Sequence, residues 1–140
     1  MAGGFRIVNM RTGETVADTV EVADTRATRK RGLLGRNGLD AGAALVLSPC
    51  FSVHTAFMRF RIDVAFVDRH GCVVRIVHNM APWRIAAAIR AQQVIELPAG
   101  ELSRRGVREG DRVYLTVADA AGSSPFWALA DISLRRTASS

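Results

Sequence analysis

The sequence predicts a mainly β, or α+β, protein: a single compact β-barrel or sandwich of about eight short strands, with one short helix near residues 25–34. Three observations carry this. Short runs of alternating apolar and polar residues recur along the chain, separated by Gly, Pro, Asn and Asp. Only one stretch joins capping residues to a run free of Gly and Pro. The chain has 140 residues with 49% hydrophobic content, which suits one core.

Taken in order, Phe5 to Asn9 alternates, Arg11-Thr-Gly-Glu14 reads as a turn, and Thr15 to Val22 alternates valines with polar residues, giving an opening hairpin. Asp24 and Thr25 offer N-caps to the helix, and Gly32 and Gly35 mark its end. Ala44 to Leu47 is a brief apolar run closed by Ser48-Pro49, and Val53 to Phe57 continues in extended form. Ile62 to Val67 and Cys72 to Val77 are the strongest strands, joined by Asp68-Arg-His-Gly71, and the core is expected there. Pro82 interrupts the chain. Ile85 to Ala91 is expected as one or two helical turns, Gln93 to Leu97 as a strand, 101–108 as a charged turn or short helix, and Arg112 to Val117 as the last strand. Residues 1–118 then form the domain. Residues 119–140 are a C-terminal tail, with a linker composition up to Pro125 followed by Phe126 and Trp127, expected to dock on the domain or to form a homodimer contact.

No uninterrupted apolar run reaches the roughly 18 residues needed to span a bilayer, and the N-terminus lacks the basic and apolar regions of a secretory signal. A cytoplasmic protein is expected. Cys50 and Cys72 lie in apolar surroundings without a Cys-x-x-Cys partner and read as buried free thiols. Eighteen arginines face one lysine, Lys30, and the net charge is +6. Basicity favours acidic partners in general, but only Arg26 to Arg36 concentrates it, with five basic residues and no acid. With no RNP-type aromatic run, zinc finger or helix-turn-helix, that segment reads first as a solvated helix face and only secondarily as a nucleic-acid contact.

Chemistry is sought among polar residues that a strand would not choose for packing. Asp63 stands between Ile62 and Val64, and Glu96 between Ile95 and Leu97; a carboxylate in an apolar strand is costly unless paired or hydrogen-bonded. For Asp63 the plain reading is structural, with bonds from backbone amides or from an arginine such as Arg36 or Arg59. In the sharper reading Asp63, Glu96 and His54 meet in one cleft as acid, base and orienting groups, or hold a cation. His70 falls in a turn and His78 at a strand end, so no three-histidine metal site is expected. Cys50 and His54 would lie about 13 Å apart in an extended chain, too far for a Cys/His pair unless the chain turns. Trp83, after Pro82, is either a stacking platform or a cap on the end of the fold.

Four blocks occur in order: Arg31-Gly-Leu-Leu-Gly-Arg36; His54-Thr-x-x-Met-Arg-Phe-x-Ile-Asp63-Val-x-Phe-x-Asp68; Val94-Ile-Glu-Leu-Pro-Ala-Gly100; and Gly106-Val-x-x-Gly-Asp111. Across residues 24–117 they resemble the family called domain of unknown function 192. Its commoner form carries a Trp-Met-Lys-Asn-Thr run where this chain has His54 to Met58, so the chain resembles a His-Thr variant of the pattern. The resemblance implies a compact β-rich fold with no agreed activity and no established cofactor. The leading expectation is a binding or accessory domain whose cleft, around His54, Thr55, Arg59, Asp63 and Trp83, takes a small polar ligand or a protein segment. The alternatives are a hydrolase or lyase using Asp63, Glu96 and His54, and a nucleic-acid-associated protein using residues 26–36. No cofactor or metal is expected.

Overall fold

The structure, a computed structural model, describes residues 4–117 and 127–128. The opening hairpin forms as the alternation predicts: β1 (Phe5–Asn9) and β2 (Thr15–Ala23) pair antiparallel, with Gly13 in the left-handed conformation of the turn. Helix α1 (Arg26–Arg31) is shorter than expected. The Thr25 hydroxyl accepts from the Thr28 amide while the Thr28 side chain accepts from the Thr25 amide, a capping box. Gly32, at φ 47°, ends the helix with its amide on the Thr28 carbonyl.

Next come β3 (Ala43–Leu47) and β4 (Ser52–His54), then a hairpin of β5 (Ile62–Asp68) and β6 (Val73–Met80). In its turn Asp68 Oδ1 accepts the His70 and Cys72 amides. The chain continues through β7 (Ile85–Ala87), β8 (Ala91–Pro98), α2 (Glu101–Arg104), β9 (Val113–Val117) and β10 (Trp127–Ala128). The stretch expected to be helical from Ile85 is strand because it has a partner. β7 pairs with β4, and the pairing turns Val53 and Ala86 onto the core.

One sheet of eight strands runs β10-β9-β1-β2-β3-β8-β5-β6; β2 and β3 are parallel and every other named pair is antiparallel. The sheet does not close into a barrel. β10 occupies the β9 edge at Tyr114 and Leu115, so β6 meets the β9 side only at its start, through a Cys72–Arg112 bridge and backbone bonds between residues 71–73 and 110–113. The backbone of Trp127 and Ala128 therefore docks on the domain itself; Phe126, the rest of the tail and the homodimer contact expected of it lie outside the described residues.

Each face of the sheet carries a core. Ile7, Val46, Val67, Ile95, Leu97 and Leu115 belong to the first. Leu45, Leu47, Val64, Phe66 and Val94 belong to the second, which is covered by Leu33 and Leu34 after α1 and by the small β4–β7 sheet. The space between that cover and the second face is where the candidate site lies.

Candidate functional site

Parity along the strands decides which way the two strand-borne carboxylates point. On β8, Ile95 and Leu97 face the first core, so Glu96 faces the second, opposite Leu45 of β3 and Val64 of β5. Asp63 pairs with Leu97 and faces the first core. The two carboxylates therefore stand on opposite faces of one sheet.

Their environments differ as sharply as their directions. Asp63 is fully buried, and it accepts the Asn79 amide at 2.8 Å on Oδ1 and the Leu102 amide at 3.0 Å on Oδ2. The second bond caps α2, whose own N-cap, Gly100, has no side chain to offer. Both donors are backbone amides; Arg36 pairs with Glu21 at 2.8 Å and Arg59 donates to Asn37. Asp63 thus ties β5 to a bend in β6 and to a helix end.

Glu96 is 4% exposed, and among the described residues no hydrogen bond or ion pair reaches its carboxyl. Burial pushes its pKa up to about 7, against a smaller downward pull from the Arg36 charge. It lines a cavity of ≈120 Å³ whose apolar walls include Leu47, Val53 and Met58. Arg29, Lys30 and Arg31 of α1, none of them buried, also border it, and the Arg29 guanidinium donates to the Ser48 carbonyl at 3.4 Å. Gly32 lies against the carboxyl: a Cβ there would sit 3.9 Å from Glu96 Oε1. The glycine that ends the helix also leaves the space beside this oxygen open.

His54 and Cys50 line the same cavity. The Cys50 thiol donates to the Ser52 carbonyl at 3.1 Å, and burial, aided by the Glu96 charge, pushes its pKa up. Thr55 is fully buried beside the cavity. Its hydroxyl donates to the Ala81 carbonyl at 2.6 Å and accepts the Arg84 amide at 2.9 Å, while its carbonyl accepts the Trp83 amide. It fixes the 81–84 loop to the end of β4. Trp83 lies outside the cavity, its ring 4.6 Å from that of Phe57. Arg59 lies outside as well.

Of the residues singled out in the sequence, the exposed His54 and the buried Glu96 line one cavity, and Asp63 stands on the other side of the sheet. The fold adds Gly32, whose signal was the Arg31-Gly-Leu-Leu-Gly-Arg36 block, and the basic residues of α1, which border the cavity rather than forming a separate face. Among the described residues, no three His, Cys, Asp or Glu side chains gather to hold a metal ion. The arrangement offers one buried acid, apolar walls and a basic border.

A curled mixed sheet with a small second sheet laid over one face defines the class of protein. The chain belongs to the DUF192 family, described as an uncharacterised ACR, whose model matches residues 7–115. That span takes in most of the opening hairpin, which the four sequence blocks leave out. Curated relatives include a UPF0127 protein of Thermococcus sibiricus, 28% identical over 138 residues with 94% of this chain and 89% of the relative covered. Another, from Thermococcus kodakarensis, is 31% identical over 115 residues, covering 79% and 73%. A solved structure from Sinorhizobium meliloti, named as a candidate transcription regulator, superposes with a TM-score of 0.68 at 24% identity, covering 81% of this chain and 95% of that one. A protein of unknown function from Novosphingobium aromaticivorans gives 0.65 at 23% identity, covering 78% and 81%. These two share the fold. The family carries no assigned activity.

Proposed function

We propose that this chain is a small binding or accessory domain and that the cavity at Glu96 takes its ligand. The observation that carries this reading is a carboxyl on a sheet face, turned to a cavity, with no hydrogen-bond or ion-pair partner among the described residues. Leaving a buried polar group unpaired is costly, and such groups in folded proteins are ordinarily satisfied. A ligand that donates a hydrogen bond to Glu96 removes the cost at the moment of binding.

The surroundings restrict its chemistry. Arg29, Lys30 and Arg31 at the cavity's border favour a carboxylate or phosphate, while Glu96 needs a hydroxyl or N–H donor at the other end. The ligand is thus a small anion with a donor group, or the end of a larger molecule bearing both; drug-sized ligands occupy about 300 Å³ or more. A second reading rests on the acidity of Glu96: a carboxyl that titrates near neutrality is suited to general-base work. In that enzyme Glu96 is the base and His54 lines the same cavity, while Asp63 supports the fold. Contact with nucleic acid through residues 26–36 is less favoured, because Arg29, Lys30 and Arg31 border the cavity and Arg36 is paired. We also place the protein in the cytoplasm, a compartment suited to free thiols such as Cys50 and Cys72. No helix among the described residues is long and apolar enough to cross a membrane.

Thermal shift against a panel of hydroxy acids, amino acids and phosphate monoesters tests the binding reading. At least one class raises the melting temperature of the wild type and leaves Glu96→Gln unmoved. Equal shifts in both proteins, or none across the panel at millimolar concentration, would sink it.

A further inference from the structure

The large apolar side chains that remain exposed are not scattered. Among the described residues they are Met10, Phe51, Phe57, Trp83, Ile85 and Ile89, and all but Met10 lie on the β4–β7 sheet or within three residues of its ends. Ile85 and Ile89 are 79% and 91% exposed, values at which an aliphatic side chain contributes nothing to its own fold. Phe57 and Trp83 are held in place: each has φ 65°, a left-handed conformation that bulky residues avoid, and the Thr55 knot anchors both ends of this turn.

The chain segments that build this surface carry charge of one sign; the nearest carboxylate contact on β6 is that of Glu109, which accepts the Ile76 amide at 3.0 Å. No acid occurs between Asp40 and Asp63, and none between Asp68 and Glu96, although these spans hold Arg59, Arg61, Arg69, Arg75, Arg84 and Arg90. Arg61, Arg75 and Arg84, with His78, line one open groove between β6 and β7. Their guanidinium groups donate to the carbonyls of Asn79, Ala87 and Trp83, and among the described residues none is paired with a carboxylate. Arginines elsewhere in the fold, such as Arg11, Arg36 and Arg104, have carboxylate partners.

We propose that the β4–β7 face docks on an anionic lipid bilayer, with Phe57, Trp83 and Ile85 entering the headgroup layer and Arg61, Arg75 and Arg84 against anionic headgroups. Aromatic and aliphatic side chains ringed by arginine are the composition of an interfacial anchor. A single-stranded nucleic acid fits less well, because the two most exposed apolar residues, Ile85 and Ile89, offer no face for a base to stack on. This docking is independent of the cavity reading and does not use Glu96.

The test uses the full chain with Trp127→Phe, which leaves Trp83 as the one tryptophan. Vesicles of phosphatidylcholine are compared with vesicles in which a quarter of the lipid is phosphatidylglycerol. Trp83 emission shifts to the blue, and the protein sediments with the anionic vesicles only, the effect weakening as salt rises. Phe57→Ser with Ile85→Ser, and separately Arg61→Gln with Arg75→Gln and Arg84→Gln, each lower partitioning at least tenfold. Circular dichroism checks their folding, and Ile89→Ser, at the most exposed position, serves if the first pair unfolds. Absence of the blue shift with anionic vesicles, or partitioning undiminished in the folded variants, overturns the proposal. So does a Trp83 shift that appears only with polyglutamate or a single-stranded oligonucleotide, which would point to a protein or nucleic-acid partner.

Discussion

Glu96 is held near neutrality because its carboxyl is buried among apolar walls while Arg36, whose charge acts on it, is already paired with Glu21. The consequence for stability has a definite sign. An ordinary glutamate titrates near 4.5, and in the fold Glu96 titrates at about 7, so between these values the folded chain holds a proton that the unfolded chain has lost. The contribution is fully present below 4.5 and is lost as pH rises through 7. Glu96→Gln removes that slope. Its stability relative to the wild type, from denaturant unfolding, is expected to rise by on the order of 2 kcal/mol between pH 5 and pH 8. A difference independent of pH would mean that the carboxyl is solvated. Asp63 shows why residue type alone did not assign roles. Both carboxylates stand out in the sequence for the same reason, yet among the described residues one receives two backbone amides and the other none. Which face each occupies follows from the pairing of Asp63 with Leu97, a match between strands far apart in the chain.

At the scale of elements, the β4–β7 sheet depends on one hydroxyl. Thr55 supplies a donor to Ala81 and an acceptor to Arg84, and Thr55→Val keeps the shape while leaving both backbone groups unpaired. The expected cost is about 1–3 kcal/mol, with faster hydrogen exchange at the Arg84 amide. Unchanged exchange there would remove Thr55 from its place as the anchor of the loop. Local elements were legible where local chemistry decides them: the capping box of α1, and the Asp68-to-Gly71 turn. Ile85 to Ala91 was not, because a short apolar run suits helix and strand alike and only the partner strand β4 settles it. Val53 to Phe57 misled in the same way. The extended stretch stops at His54, and Phe57 turns to φ 65°.

Across the whole molecule, the sequence pattern conveys a β-rich domain with one core region but not the sheet's connectivity. The parallel pairing of β2 with β3, the placing of β8 between β3 and β5, and the β10 edge that keeps the sheet open are all long-range pairings that leave no local trace. The same pairings put a cavity on one face of the sheet, by laying α1 and the β4–β7 sheet over Glu96. Two surfaces follow, a cavity bordered by the basic residues of α1 and an apolar face flanked by three arginines. The claim most open to direct measurement is that Glu96 is buried without a partner among the described residues, and carbon-detected NMR titration of its side-chain carboxyl, assigned with Glu96→Gln, reads this in the full chain. A midpoint near 7 is the predicted result. A midpoint near the ordinary 4.5 would show a carboxyl already hydrated or paired, and would contradict the ligand site built on it.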